Sequence, residues 1–275
     1  MCQLLGMNCN TPTDIQFSFE GFCRRGGLTD HHADGWGIAF FEKGGVRLFL
    51  DEAPSAHSKV AEFIRTYPIK STNVIAHIRK ATQGEVNLGN VHPFQREMWG
   101  RQWIFAHNGN LDTFAPAKGQ YYRPVGSTDS ERAFCFMLES LRQRFDDMPD
   151  AETLIQAVAE ITGEIHPFGI FNFMLSNGDV LLCHSSSRLN YIVRQAPFAK
   201  AHLVDEDVTI DFSTVTTPKD RVAVIATLPL TDNETWTAIP SGALILFHDG
   251  LPKLSLQCDP LHEKYHASIT QYPSN

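Results

Sequence analysis

Several segments of this chain have the hydrophobic pattern of β-strands, and other segments between these strands have the hydrophobic period of a helix. Alternation and short apolar runs predict strands over residues 35–42, 46–51, 73–78, 102–107, 169–176, 179–185, 189–194, 221–227 and 243–248. Glycine-containing turns at 43–45 and at Asn177-Gly178 join two pairs of these strands as hairpins. Hairpin connections favour antiparallel sheets.

Three helices are predicted between the strands. Residues 55–66 carry apolar side chains at the spacing of one helical face. A longer helix, with an apolar stripe that continues to Phe145, begins in a polar run with capping-box chemistry. The capping pair is Thr128 with Glu131, or Ser127 with Ser130.

The third helix is capped by Asp150 and is expected to end at Gly163. The order of strands, helices and strands, with few βαβ units, predicts an α+β fold with largely antiparallel sheets. We expect one domain over residues 2–257, followed by a polar C-terminal tail over residues 258–275.

Composition removes several classes of function. The net charge of −8 in 275 residues gives no basic field for nucleic acid. No apolar run is long enough to cross a membrane, and the first positive side chain is Arg24, so no secretory signal is predicted. We therefore expect a cytoplasmic protein that binds neither nucleic acid nor membrane.

The six cysteines form no C-x-x-C pair and are too sparse for a disulfide scaffold. Cys2 differs from the others by its position, because removal of Met1 would leave it as the first residue. Its free α-amine would then have an ordinary pKa of about 7.7–8.0, so one residue would supply both a nucleophile and a base. The alternative is an incidental cysteine after the initiator.

Short motifs follow Cys2 in a fixed order. They are Asp34-Gly35-Trp36-Gly37, Arg79-Lys80-Ala81-Thr82-Gln83-Gly84, Asn90-Val91-His92-Pro93-Phe94, His107-Asn108-Gly109-Asn110, Ser127-Thr128-Asp129-Ser130-Glu131 and the late run 226–236. Together they resemble the class-II (N-terminal nucleophile) glutamine amidotransferases, and most closely their stand-alone YafJ-like group. The resemblance implies a four-layer αββα sandwich with two mainly antiparallel sheets.

The resemblance also implies roles for individual residues. Cys2 would attack the side-chain amide of glutamine, and Asn108 and Gly109 would bind the oxyanion. Arg79 would hold the α-carboxylate of the substrate, and Asp129 its α-ammonium. Each has a plainer alternative: Asn108-Gly109 as a turn, Arg79 as an ion-pair residue, and Asp129 as a helix cap.

Three further residues are expected to support the glutamine pocket. Thr82 is expected to bond near the substrate, His92 to fix a loop before Pro93, and His107 to be structural. Gln83 departs from the histidine that several relatives carry, which affects only the details of glutamine binding. The run Asp30-His31-His32-Ala33-Asp34 could suggest a metal, but its neighbouring side chains point to opposite faces, so no metal or cofactor is predicted.

The implied reaction is cleavage of a γ-glutamyl amide through a thioester on Cys2. The substrate would be L-glutamine or another γ-glutamyl small molecule. Three hypotheses follow: a glutaminase that passes ammonia to a separate partner protein, a hydrolase of another γ-glutamyl peptide or thiol conjugate, and a non-catalytic binding protein on the same fold. An intact set of site residues argues against the third.

Overall fold

The computed structural model describes residues 2–81, 85–258 and 270–271. Its helices are α1 (Gln16–Arg24), α2 (Lys59–Thr66), α3 (Asp129–Arg144) and α4 (Ala151–Ile165). Its strands are β1 (Gln3–Thr13), β2 (Trp36–Glu42), β3 (Gly45–Asp51), β4 (Ser71–Ile78), β5 (Phe94–Met98), β6 (Arg101–Leu111), β7 (Gly169–Ser176), β8 (Leu181–Ser185), β9 (Asn190–Gln195), β10 (Lys200–His202), β11 (Thr209–Asp211), β12 (Arg221–Ala226), β13 (Thr237–Ala238), β14 (Ala243–His248), β15 (Leu251–Gln257) and β16 (Thr270–Gln271).

These strands form two seven-stranded sheets and a small two-stranded one. The first sheet has the order β13-β9-β12-β1-β4-β2-β3, and the second has the order β16-β15-β14-β8-β7-β6-β5. Every strand pairing among the described residues is antiparallel. The predicted α+β class with antiparallel sheets is therefore confirmed.

Three apolar clusters show how the sheets and helices are layered. One packs α1 and α2 against the outer face of the first sheet, and another packs α3 and α4 against the outer face of the second. The third lies between the sheets. Along β4, for example, Val74 and Ala76 face the helices whereas Ile75 faces the other sheet. The molecule is the four-layer αββα sandwich that the resemblance implies.

The first strand and helix were not predicted, for identifiable reasons. β1 lies in the middle of its sheet and is buried on both faces, so hydrophobic and polar residues do not alternate along it. Its buried Asn8 is satisfied by Asn73 and by the backbone of Gly250. Helix α1 has Ile15 at its N-cap and no capping side chain, so it lacks a start signal.

The cap predictions are confirmed at two helices. Thr128 accepts a hydrogen bond from the backbone N–H of Glu131, and Asp150 accepts one from Thr153. In the first helix region, Ser58 caps α2 after a separate 3-10 turn over Ser55–His57. The prediction that Gly163 ends α4 is wrong.

Helix α4 continues through Gly163 to Ile165. The glycine that has a positive φ near this end of the helix is Gly169, at 150°, where the chain enters β7 after a 3-10 turn. In the following hairpin, Asn177 Oδ1 accepts the N–H groups of Asp179 and Val180, so β8 begins at Leu181. The predicted strand start at Asp179 is therefore two residues early.

Most of the predicted tail 258–275 lies outside the described residues. Within the described part, Cys258 is buried and Thr270–Gln271 pairs with β15. No helix in the described ranges is long and apolar enough to cross a bilayer.

Candidate active site

Five polar side chains meet at one end of the gap between the sheets. In the first sheet, Gln3 pairs with Ile78 and Leu5 pairs with Ala226, so the start of β1 lies beside the ends of β4 and β12. Side chains alternate along a strand, and Leu4, Ile75, Ala106 and Ile225 fill the gap between the sheets. Residues two positions away along the chain therefore face the same gap. They are Cys2 before Leu4, His77 and then Arg79 after Ile75, Asn108 after Ala106, and Thr227 after Ile225.

Cys2 is half-buried beside the backbone that follows β4. The N–H of Lys80 donates to Cys2 Sγ at 3.2 Å, and the thiol lies 3.4 Å from the carbonyl oxygen of the same residue. Burial raises the pKa of the Cys2 thiol, while the Lys80 hydrogen bond and the Arg79 charge oppose the rise. The sulfur is therefore mainly a thiol at neutral pH, and it needs a base in order to act as a nucleophile.

Arg79 is buried, at 3% exposure, and its backbone is fixed on both sides. Its N–H donates to Gly35 O at 2.8 Å, and its carbonyl accepts from Asp34 N at 3.3 Å. One guanidinium nitrogen, Nη1, donates to Glu85 O at 3.1 Å. A buried guanidinium in a fixed position is suited to a carboxylate, because its planar fork can donate two parallel hydrogen bonds.

Asn108 and Gly109 lie near the end of β6. Asn108 is buried, its Nδ2 donates to Thr227 Oγ1 at 3.3 Å, and its Oδ1 has no hydrogen-bond partner among the described residues. A Cβ on Gly109 would lie 1.8 Å from Ile170 O and 2.6 Å from His107 Nε2. Only glycine fits there, because the backbone of β7 and the ring of His107 occupy the space that a side chain would need.

Asp129 is the first residue of α3 and is buried. Its Oδ2 accepts from Leu111 N at 2.7 Å, and its Oδ1 accepts from Ser130 N at 2.9 Å. The carboxylate therefore ties the end of β6 to the start of α3, whereas the N-cap of that helix is Thr128 and not Asp129. Its charge adds to the burial-driven rise in the pKa of Cys2 and opposes the burial-driven fall in the pKa of His107.

Asn90 joins the two loops that border the site. Its Nδ2 donates to Glu85 O at 2.9 Å and to Ser127 Oγ at 3.2 Å, and its Oδ1 accepts from Ser127 N at 2.8 Å. Glu85 O is also the acceptor of Arg79, and Ser127 lies two residues before Asp129. Asn90 thus links the surroundings of Arg79 to those of Asp129.

Glu131, one turn into α3, holds the same loop from the other side. Its carboxylate accepts the N–H groups of Val125 and Gly126 at 3.0 and 2.7 Å and pairs with Arg96. A capping box would instead direct Glu131 back to the N–H of Thr128. The predicted cap is therefore half-formed, and its acidic member holds the loop.

Three histidines lie beneath the site and are kept neutral by burial. His107 lies 3.0 Å from Ile170 O through Nε2 and 2.8 Å from Ser130 Oγ through Nδ1. Burial lowers the pKa of His107, and the Asp129 charge opposes this. A carbonyl only accepts, so Nε2 carries the proton and Nδ1 accepts from the serine. These contacts agree with the structural role expected for His107.

His92 precedes a cis peptide bond to Pro93, and its ring packs at a tilt against His77 and Phe94, with ring centroids 4.2 and 4.4 Å away. Burial lowers the pKa of His92 well below its ordinary value and that of His77 to about 3. A Cβ on Gly37 would lie 2.4 Å from His92 O, so the loop is packed tightly on β2. These contacts support the expectation that His92 fixes a loop.

Two expected features remain to be placed. Thr82, with the departing Gln83, lies outside the described residues. In the Asp30–Asp34 run, His32 Nδ1 lies 3.0 Å from Asp30 Oδ2. No group of three or more His, Cys, Asp or Glu residues within the described ranges is arranged to hold a metal ion.

The sequence did not single out Thr227, Asn90 or Glu131 as parts of the site. Thr227 and Asn90 lie within motifs that carried the resemblance, so the signal was present without a role attached to it. Their contacts join residues 119 and 37 positions apart, which no local pattern reveals.

The sequence of this chain is similar to those of known proteins. The family model described as class-II glutamine amidotransferases matches residues 1–271. A Haemophilus influenzae protein named "Putative glutamine amidotransferase" is 54% identical over 250 residues, covering 91% of this chain and 85% of the relative. The Escherichia coli protein named "Putative glutamine amidotransferase YafJ" is 50% identical over 248 residues, covering 90% and 97%.

Solved structures give the same family and fold. The 2.0 Å crystal structure of a "predicted glutamine amidotransferase" from Pseudomonas aeruginosa has a TM-score of 0.74 and 47% identity, covering 91% of this chain and 99% of that one. Glutamine phosphoribosylpyrophosphate amidotransferase from B. subtilis has a TM-score of 0.58 at 13% identity, covering 94% and 49%. At that identity the likeness concerns the fold alone.

Proposed function

The chain belongs to the class-II glutamine amidotransferase family, and from that membership we propose that it cleaves a γ-glutamyl amide bond through a thioester on Cys2. The observation that carries the proposal is the meeting of Cys2, Arg79 and Asn108 at one end of the gap between the sheets. A thiol, a cation for a carboxylate and an amide donor together fit an amide substrate that has an α-carboxylate.

The reaction begins with the thiol of Cys2. Because burial keeps its pKa high, the thiol gives its proton to a base as Sγ attacks the amide carbon. After removal of Met1, that base is the α-amine of Cys2 itself. The same amine then donates the proton to the leaving nitrogen, and the C–N bond breaks to release ammonia.

The tetrahedral intermediate needs hydrogen-bond donors for its oxyanion. The side-chain amide of Asn108 and the backbone N–H of Gly109 are the donors in this proposal. Collapse of the intermediate forms the γ-glutamyl thioester. Water then attacks the thioester carbon, the C–S bond breaks, and glutamate leaves with the thiol restored.

Arg79 and Asp129 select the substrate in this proposal. Arg79 pairs with the α-carboxylate, and Asp129, which has two of its roughly four acceptor positions filled by backbone N–H groups, accepts from the α-ammonium. Thr82 is proposed to bond near the same substrate. L-glutamine is the substrate class that family membership supports, and other γ-glutamyl amides share the same recognised end.

A mass measurement combined with an inhibitor tests the nucleophile. Intact mass shows whether Met1 is absent, and incubation with a diazo-ketone analogue of glutamine should add one label that digestion places on Cys2. Cys2→Ala should abolish both labelling and ammonia release. Cys9→Ala is the control, because burial raises the pKa of Cys9 to about 12 and its thiol lies 3.2 Å from Ser71 O inside the sheet.

The outcomes separate the competing functions. Ammonia release from L-glutamine, but not from L-asparagine, supports the glutaminase reaction, and stimulation by an added protein would indicate an ammonia-accepting partner. Faster cleavage of a γ-glutamyl peptide than of glutamine would assign a different γ-glutamyl substrate to the same site. Activity that survives Cys2→Ala, or a processed protein that neither labels nor turns over any of these compounds, would contradict the proposal.

A further inference from the structure

One hydroxyl group contacts both the strand of the candidate nucleophile and the candidate oxyanion donor. Thr227 is buried immediately after β12. Its Oγ1 accepts the backbone N–H of Leu4 at 2.9 Å and the side-chain Nδ2 of Asn108 at 3.3 Å. Leu4 lies two residues after Cys2. The hydroxyl therefore joins the two sheets at the point where the proposed chemistry takes place.

Apart from the Leu4 N–H, which donates to the hydroxyl, the backbone at this point has other hydrogen bonds. Thr227 N donates to Leu4 O at 3.1 Å, and Thr227 O accepts from Asn190 Nδ2 at 3.0 Å. The main chain of Asn108 is fixed separately, because Asn172 Nδ2 donates to its carbonyl at 2.9 Å and the two residues face each other in the ladder. The Thr227 hydroxyl therefore has two contacts of its own, the N–H of Leu4 and the side chain of Asn108.

Asn172 is itself held firmly. It is completely buried, and its Oδ1 accepts the backbone N–H groups of Ser186, Ser187 and Arg188 at 3.0, 3.0 and 3.2 Å. With the backbone of Asn108 fixed in this way, rotation about its side-chain bonds is the remaining freedom. A hydrogen bond from one amide hydrogen to Thr227 leaves the second amide hydrogen for another acceptor.

We propose that Thr227 is a positioning residue whose hydroxyl holds the Asn108 amide in the orientation that binds the oxyanion. This inference rests on the proposed function. Oxyanion binding requires a donor that is already oriented, since reorientation during the reaction would cost part of the stabilisation. Thr227 touches neither the substrate nor the reacting atoms in this account, and it acts through Asn108.

Two substitutions at the same position separate the hydroxyl from the volume of the side chain. Thr227→Val keeps the branched shape and removes the oxygen, whereas Thr227→Ser keeps the oxygen. We expect Thr227→Val to lower kcat by about 10- to 100-fold for the substrate that the assays above identify. The decrease in kcat should not exceed that caused by removing an oxyanion donor outright. KM should change little, and Thr227→Ser should retain most of kcat.

A double-mutant cycle distinguishes positioning from a general structural effect. If Thr227 acts through Asn108, Thr227→Val should lower kcat much less in an Asn108→Ala background than in the wild type. Thr162→Val is the matched control, because that buried hydroxyl bonds only Val158 O within α4 in the described structure. Thermal unfolding of each variant checks the fold, and Thr227→Cys replaces the valine variant if the latter does not fold.

The inference and the function on which it rests fail in different ways. Wild-type protein that turns over substrate while Thr227→Val keeps full kcat would overturn the role of Thr227. Fully additive losses in the cycle would do the same. Processed wild-type protein that neither turns over substrate nor takes the diazo-ketone label would instead overturn the proposed function, and the inference with it.

Discussion

At the scale of single residues, the candidate site consists of side chains whose neighbours leave them little freedom. Arg79 is bracketed by backbone bonds to Asp34 and Gly35, and Asn108 is held by Asn172 and Thr227. Buried polar groups cost free energy unless they are paired, so this degree of pairing also stabilises the fold. Asn108 Oδ1 departs from that rule within the described structure, and because it is an acceptor it is not the atom that would bind an oxyanion, a role proposed for the Nδ2 side of the same amide.

Gly109→Ala tests how tightly the end of β6 is packed. The added methyl group would lie 1.8 Å from Ile170 O, which is backbone and cannot move without breaking the pairing of β6 with β7. We expect a loss of roughly 1–3 kcal/mol or more in the free energy of unfolding, measured by urea denaturation, together with loss of activity.

Gly45→Ala is the control for that substitution. A Cβ on Gly45 would have its nearest contact at 3.5 Å, from Glu42 O, which is ordinary van der Waals distance. Its unfolding midpoint should stay close to that of the wild type. Equal stability of the two variants would show that the space around Gly109 is not restrictive.

At the scale of elements, α3 organises the connection that leads into it. Asp129 binds Leu111 N, Glu131 binds Val125 N and Gly126 N, and Glu139 binds the N–H groups of residues 120–122. The carboxylates of one helix therefore replace secondary structure as partners for a long loop. Those backbone hydrogen bonds lower the pKa of Glu139, against the effect of burial.

Asn90→Ala tests whether the loops on either side of the site are coupled. The change removes the hydrogen bonds to Glu85 O and Ser127, and with them the link between the surroundings of Arg79 and Asp129. Since both residues are proposed to bind the α-groups of the substrate, KM should rise about tenfold or more while kcat changes less. Steady-state kinetics on the substrate identified above measures both.

Asn10→Ala provides the control on the same class of interaction. Asn10 also bridges two backbone groups, Lys219 O and Arg221 N, each at 2.8 Å, but it lies at the opposite end of β1 from Cys2. It should leave KM unchanged. A similar KM for both variants would remove the proposed coupling through Asn90.

At the scale of the whole molecule, burial of neutral histidines makes stability depend on pH. Burial, with smaller contributions from the nearby His107, Arg79 and His32, lowers the pKa of His77 to about 3, and the backbone of His107 partly opposes the fall. In the unfolded chain the pKa is about 6.5. Between these two pH values, His77 binds more protons in the unfolded state than in the folded state. Its contribution to the free energy of unfolding is therefore present above pH 6.5 and is lost as the pH falls toward 3.

His77→Gln should remove that part of the pH dependence. For a group whose pKa falls from about 6.5 to about 3 on folding, the wild type loses roughly 2 kcal/mol more than the variant between pH 7 and pH 5. Urea denaturation at the two pH values measures the difference, whatever the absolute stability of the variant.

His202→Gln is the control with the opposite sign. The partly exposed His202 has its pKa raised by hydrogen bonds to Asp232 and Asp207, so its contribution to stability is present at low pH and is lost as the pH rises. The His202→Gln variant should therefore lose at least as much free energy of unfolding between pH 7 and pH 5 as the wild type does. A wild type whose stability does not change between pH 7 and pH 5 would contradict the assignment of neutral buried histidines.

The sequence by itself determined the local structure and the family. Capping at Thr128 and Asp150 and the hairpin at Asn177-Gly178 depend on residues a few positions apart, so a local pattern carries them. The order of short motifs likewise identified the class-II amidotransferases. Local patterns failed at β1 and at the end of α4, where burial on both faces and continued packing overrode them.

Only the tertiary structure decided which side chains share the site. The bond from Asn108 to Thr227 spans 119 residues and that from Leu4 to Thr227 spans 223, and neither follows from any periodicity. They form because antiparallel pairing brings the start of β1 beside the ends of β4 and β12, and because the apolar core between the sheets sets the second sheet against them. Sheet register and packing act between distant segments of the chain, and they therefore determine which of the motif residues lie together in the site.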